Sequence, residues 1–225
     1  MPFFKLIFMK TIFPFFLAFA LFANAALAQI TLTAEDVALA GLSLSNVQDT
    51  LPDASIVAGP GGQDKTWDFS ALHSHEVYSF ESVEAEETPY FDLFPNANIA
   101  IIENGETYGY LQKDALSLKA LGFYGAFEFE PGVGLDLDVH ISPFQSLLRF
   151  PTIFNDGFTE HFQRVIAYDA SLTGQQADSI RIVSSVLRTV VYDAYGNLTT
   201  PAGSFPVLRV KETETSTDTL YVLFD

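Results

Sequence analysis

The 225 residues carry 28 acids against 11 bases, 22 phenylalanines and no cysteine. The net charge of −17 argues against nucleic acid or an anionic membrane as a partner, because both attract basic surfaces. The missing cysteine excludes a disulfide framework, a thiol nucleophile, a cysteine-zinc site and a lipid-modified N-terminal cysteine.

Residues 1–28 hold Lys5 and Lys10 and no acid. An apolar run from Ile12 to Phe22 follows, then small residues that close on Ala26-Leu27-Ala28 before Gln29. A positive start, an apolar middle and an A-x-A site are the three parts of a secretory signal peptide. Met9-Lys10-Thr11 offers a second start with the same pattern. The apolar run is short for a membrane span, which needs about 20 residues, so no span is expected once the signal is cleaved. The expected destination is the periplasm, the cell surface or the extracellular space. Setting Lys5 and Lys10 aside leaves nine bases against the 28 acids, a net charge of −19 on residues 29–225. That charge permits calcium or a basic partner without requiring either. A segment of this length supports a core without covalent staples, and a single domain over 29–225 is expected.

Along the mature chain, Thr33 to Gly41 reads as one short helix. Thr33 caps it, Glu35 and Asp36 suit its positive end and Gly41 ends it. Beyond it the helical period disappears, and short β-branched and aromatic runs alternate with Gly, Pro, Asn and Asp. Strands are predicted at 55–58, 65–69, 76–81, 99–103, 107–112, 123–130, 135–141, 158–168, 179–192, 205–212 and 219–224. Asn104-Gly105 between Glu103 and Glu106 is a two-residue hairpin signal. Asp193-Ala194-Tyr195-Gly196-Asn197 and Pro201-Ala202-Gly203 read as further turns. The expected fold is all-β: a single antiparallel β-sandwich or strongly curved sheet, with one short N-terminal helix.

One hairpin can be read in register. Phe127, Phe129, Leu135, Leu137 and Val139 alternate with Glu128, Glu130, Asp136, Asp138 and His140. With Pro131-Gly132-Val133 as the loop, Phe129 faces Leu135, Phe127 faces Leu137, Glu128 stands opposite Asp136 and Tyr124 opposite His140. Facing carboxylates repel unless something neutralises them. Glu128, Glu130, Asp136 and Asp138 are therefore a candidate face for a cation or a basic partner, set against the plainer reading of a solvated acidic face. A flat strand face is a poor calcium cage, because calcium wants several oxygens gathered by a tight loop.

The sequence holds no G-x-S-x-G elbow, H-E-x-x-H pair, Walker loop or glycine-rich dinucleotide fingerprint. No catalytic residue and no cofactor is assigned. His73-Ser74-His75 puts two imidazoles on one strand face, a spacing that can begin a metal site. Trp67, the only tryptophan, reads as a core residue or as a stacking platform for a sugar.

Three segments carry a family resemblance. They are Gly61 to Ser70 with its Gln63, Trp67-Asp68-Phe69-Ser70; Phe94-Pro95-Asn96-Ala97-Asn98-Ile99-Ala100; and Leu198-Thr199-Thr200-Pro201-Ala202-Gly203-Ser204-Phe205-Pro206-Val207-Leu208-Arg209. Together they resemble the N-terminal β-domain of uncharacterised secreted Bacteroidetes proteins that commonly end in a type IX secretion sorting domain. The resemblance implies structural roles for these residues and brings no activity with it. It also implies continuation beyond Asp225 into more strands and a sorting domain, or else a periplasmic protein without that route. Asp49-Thr50-Leu51, Asp178-Ser179-Ile180 and Asp218-Thr219-Leu220 resemble the Asp-Ser/Thr-apolar sites that such bacteria O-glycosylate. The leading expectation is a non-enzymatic secreted or cell-surface module that presents or binds an unknown ligand. The alternatives are a carrier of an apolar ligand in an aromatic-rich sheet, and a secreted hydrolase.

Overall fold

The computed structural model describes residues 30–37, 41–130, 133–170 and 177–224, with backbone alone for 127–130 and 133. The expected signal peptide, residues 1–28, therefore lies outside the described residues, as do Pro131 and Gly132 of the expected hairpin loop. Thr31 to Asp225 cluster as one unit.

Among the described residues, ten strands form a single hydrogen-bonded sheet that does not close. They are β1 (Leu42–Gln48), β2 (Gly62–Asp68), β3 (Glu76–Glu84), β4 (Ile99–Glu103), β5 (Thr107–Lys113), β6 (Ser117–Glu130), β7 (Val133–Arg149), β8 (Gly157–Asp169), β9 (Ser179–Thr200) and β10 (Gly203–Leu223). From β3 to β10 the strands follow one another as an antiparallel meander, and β1 adds to the outer edge of β3. The exception is β2, which leaves its sequence neighbours and pairs with β9 in parallel. The sheet is therefore mixed, a correction to the purely antiparallel expectation. A parallel pair cannot be closed by a tight turn, so this pairing is not written in any local signal.

Other differences have local causes. Leu42 to Gln48 is rich in Ser, Asn and Gln and was not expected as a strand; it becomes one because β3 supplies a ladder. The expected strand at 55–58 is a loop. Of the expected N-terminal helix only one 3-10 turn, Ala34–Asp36, is described, and 38–40 lie outside the described residues. Thr33 starts that turn: its backbone N–H and its hydroxyl both donate to Asp36 Oδ2, at 2.8 and 2.7 Å. The expected turn at 193–197 is continuous strand, and the two expected C-terminal strands are one, β10.

Asn104 and Gly105 do form the turn, both at positive φ (50° and 78°), closed by Glu106 N–H on Glu103 O at 3.1 Å. Positive φ costs Gly nothing and Asn little. Where β5 turns into β6, the Asp114 carboxylate accepts the N–H groups of Leu116 (2.8 Å) and Ser117 (2.7 Å) and pairs with Lys119 at 3.1 Å. These donors, the Leu116 N–H foremost, hold its pKa down at about 2.

Among the described residues, buried apolar side chains gather in two clusters. Phe94, Ala97, Ala100, Ala85 and Tyr110 form one, with the Phe94 and Tyr110 rings stacked at 4.5 Å. The Phe94–Ala100 segment is thereby a core element. Ile141, Phe162 and Val186 form the other. Beside it lies Arg188, 1 % exposed. Its guanidinium pairs with Glu160 at 3.1 Å, with Glu212, and with Glu214 at 3.6 Å, and it donates to Ser146 O at 2.6 Å. A buried charge is tolerated only when paired and hydrogen-bonded. Arg188 meets that condition by drawing β7, β8 and β10 onto β9.

Beyond Arg209, β10 is exposed on both faces, and it pairs with β9 alone. Leu220, Tyr221, Val222, Leu223 and Phe224 stand 41–67 % exposed at its end.

Candidate functional site, a groove beside Trp67

β9 is flanked differently at its two ends. Ser179 to Val191 lie between β8 and β10; Ala194 to Leu198 lie between β2 and β10. At this second end, Trp67 pairs with Leu198, which pairs with Phe205, while Lys65 pairs with Gly196, which pairs with Val207. Residues so paired share a face. Gly196 is required there: a Cβ on it would lie 1.9 Å from the Lys65 carbonyl oxygen and 2.5 Å from the Lys65 nitrogen.

The loop before β2 folds back over this face and is fastened by one arginine. Arg209 grips Asp193 with two parallel bonds, Nε to Oδ1 at 2.8 Å and Nη2 to Oδ2 at 2.9 Å. Its remaining Nη1 donates to the carbonyl oxygens of Ala58 and, at 3.0 Å, Gly59. Bidentate charged bonds of this kind are strong and geometrically specific. The same guanidinium lies 5.7 Å from the Trp67 ring centroid. The indole N–H donates to Ala58 O at 2.8 Å, and Trp67 is 8 % exposed. With its nitrogen satisfied and its ring covered, Trp67 acts as a wall residue rather than an open sugar platform.

Two adjoining spaces share Ala58, Trp67 and Phe69. One, of about 300 Å³, is walled additionally by Leu198, Val207, Leu208 and Arg209 and is almost wholly apolar. The other, of about 570 Å³, lies between the loop 55–60 and the edge of β2 that carries Lys65. Both fall within the usual size of small-molecule sites, about 300–1,000 Å³. The Arg209 guanidinium holds the Asp193 carboxyl below the usual aspartate range. A depressed pKa contributes stability that is present above the unfolded value, about 3.9 for aspartate, and is lost as pH falls through the folded value. Trp67 emission is thus expected to stay constant above about pH 4 and to shift to the red in stronger acid as the loop lets go. Emission unchanged down to about pH 2 would show that Asp193 does not hold the loop.

The residues singled out by sequence lie elsewhere. His73 and His75 sit in the loop before β3, with ring centroids 6.3 Å apart. Asp49 ties both to β1: its carboxylate accepts the His73 N–H at 2.9 Å and lies 3.0 Å from His75 Nδ1. The His73 N–H is the main cause of the lowered Asp49 pKa. Among the described residues no group of three or more His, Asp or Glu is placed to hold a metal ion.

The acidic hairpin is displaced by two residues from its expected register. Tyr124 faces Asp138, Ala126 faces Asp136, Phe127 faces Leu135 and Glu128 faces Gly134. The expected pairs of Glu128 with Asp136 and of Tyr124 with His140 do not form, because Val133 joins the strand and pairs with Glu130, with a bulge between Glu128 and Glu130. A shift of two leaves Tyr124, Asp136 and Asp138 on their expected faces. Asp138 is 3.2 Å from His140 Nε2, and Asp136 is exposed. The side chains of Glu128 and Glu130 lie outside the described residues.

Sequence reading missed Leu198, Val207, Leu208 and the Asp193–Arg209 pair. A signal for the pair was present: counting back from the Pro201-Ala202 turn sets Arg209 against Ala194, beside Asp193. No protein-family model matches this chain, and neither a curated protein nor a solved structure does.

Proposed function

We propose that this chain is an exported, non-catalytic binding module whose ligand places an apolar group in the groove beside Trp67. The observation that carries the reading is the apolar space walled by Trp67, Phe69, Leu198, Val207 and Leu208. Apolar surface left concave and lined by aromatics is the common form of a ligand site. Its walls come from strands and from Phe69 just past β2, whose N–H bonds to Thr199 O at 2.7 Å, and Arg209 fixes the loop that carries Ala58, so the groove is preorganised and binding orders little. In this reading the single sheet is strongly curved and serves as scaffold. The signal peptide delivers the chain to the periplasm, cell surface or medium, as expected of the Bacteroidetes secreted proteins that it resembles. Two of the three resembling segments, Gly61–Ser70 and Leu198–Arg209, meet at the groove; a shared binding scaffold accounts for both.

The groove favours the apolar-ligand alternative over a hydrolase. His161 Nε2 lies 2.9 Å from Ser185 Oγ, but this pair stands on the exposed face of β8 and β9, away from the groove. The test uses N-phenyl-1-naphthylamine, a neutral apolar fluorophore. Saturable binding with energy transfer from Trp67 is expected, and Val207→Arg, which fills the groove, is expected to abolish it. Binding that survives Val207→Arg unchanged would place the probe elsewhere and defeat the proposal. Export is checked separately: the protein recovered outside the cytoplasm should begin at Gln29.

A further inference from the structure

We infer that the natural ligand of the groove is an amphiphile with an anionic head, held by the Lys65 ammonium while its apolar part lies against Phe69, Leu198, Val207 and Leu208. This deepens the proposed function and rests on it.

Charge and position together single out Lys65. On a chain with 28 acids and 11 bases, an unpaired cation beside an apolar groove is unusual. Lys119, Arg164, Arg188 and Arg209 each pair with a carboxylate, and the Lys113 ammonium donates to Val37 O at 3.1 Å. Lys65, like Arg149, Arg181 and Lys211, has no carboxylate within ion-pair distance among the described residues, but of these four only Lys65 lines the groove, in the larger space together with Trp67 and Phe69. Its side chain lies over Gly62: a Cβ at that glycine would stand 3.0 Å from Lys65 Cε and 3.2 Å from Nζ. Glycine leaves room for the ammonium at the rim.

Geometry gives the ammonium and the apolar walls one ligand to share. Alternation along β2 puts Lys65 and Trp67 on the same face, and Gly196 pairs with both Lys65 and Val207. Arg209, the other cation of the groove, is not free for a head group. Asp193 takes two of its nitrogens and the Ala58 and Gly59 carbonyls take the third. A cationic head finds no free carboxylate on this face. Asp193 is committed to Arg209, and Asp68, which also lines the larger space, is engaged by Ser70, whose N–H and Oγ–H donate to it at 3.0 and 2.6 Å. An anion is therefore the complement that this rim offers.

Octanoate, octanol and octylamine carry one chain and three heads. Each is titrated against the signal-cleaved protein and its Lys65→Gln and Lys65→Arg variants, with Trp67 emission as the readout. Octanoate is expected to bind the wild type about tenfold more tightly than octanol, the scale of one hydrogen bond to a charged group, and octylamine more weakly than both. Lys65→Gln should bring octanoate to the octanol level and leave octanol unchanged, while Lys65→Arg should retain the preference. Equal binding of octanoate and octanol by the wild type, or a preference that survives Lys65→Gln, overturns the anionic head and leaves the groove standing. If no probe alters Trp67 emission, the groove itself fails as a ligand site, and this inference fails with it.

Discussion

Replacing Arg188 by methionine is expected to destabilise the protein by about 3–5 kcal/mol, the cost of stranding charge in an interior. For a unit of this size that corresponds to a fall in melting temperature of roughly 10 °C, measured by circular dichroism. The side chain is 1 % exposed and neutralises Glu160 and Glu212, with Glu214 at 3.6 Å. The three carboxylates do not suffer equally. Glu160 is only 10 % exposed and has little water to replace the arginine, whereas Glu212 and Glu214 are 40 % and 34 % exposed and can resolvate. Arg164 also still reaches Glu214 at 3.1 Å. Most of the loss should thus trace to Glu160, and adding Glu160→Gln to Arg188→Met should recover a substantial part of it. Glutamine removes the charge yet keeps an oxygen for Ser146 N–H, which Glu160 accepts at 3.1 and 3.2 Å. A double variant no more stable than Arg188→Met would mean that lost packing around the arginine stem, not stranded charge, sets the cost.

Gly196→Val is expected to lift β2 from β9 and erase the groove while leaving the other end of β9 in place. Any side chain at 196 meets the Lys65 backbone well inside contact distance, and backbone cannot step aside as a flexible side chain does. The stability cost should sit near the top of the overpacking range, about 3 kcal/mol. The more specific readout is Trp67, the only tryptophan, whose emission should move to that of an exposed indole. Binding of N-phenyl-1-naphthylamine should vanish with it. Far-ultraviolet dichroism should change little, because the ladder of β8 with β9 runs from Ser179 to Val191 and does not involve residue 196. Native Trp67 emission in this variant would show that the parallel β2–β9 pairing does not form in solution.

How much of this could be read from the chain follows from the range of each interaction. Ile99 to Glu103 was bounded as found, because five β-branched, small and acidic residues run into an Asn-Gly turn that closes its own hydrogen bond. Of the expected Pro201-Ala202-Gly203 turn, Pro201 and Ala202 form the turn and Gly203 opens β10. The acidic hairpin lies two residues out of its expected register from Tyr124 to Glu128, since alternation is blind to a shift of two. Asp193 to Asn197 carries the residues of a loop and yet is strand, because Arg209 binds Asp193 and β2 packs on Gly196. The run from Glu212 to Thr219 is polar enough to suggest a break. Arg188 and Arg164 neutralise its glutamates, and β9 supplies a continuous ladder.

Composition and pattern alone determined the net acidic charge, the all-β class and most strand positions, for these depend on composition or on neighbours within a few residues. Tertiary structure decided the parallel seat of β2, the neutralisation of Arg188, and the groove built from Ala58, Trp67, Leu198 and Arg209. Those residues are separated by as many as 151 positions. Their meeting depends on which strand edge β2 takes, a choice made by packing and charge pairing across the whole sheet and by no local preference.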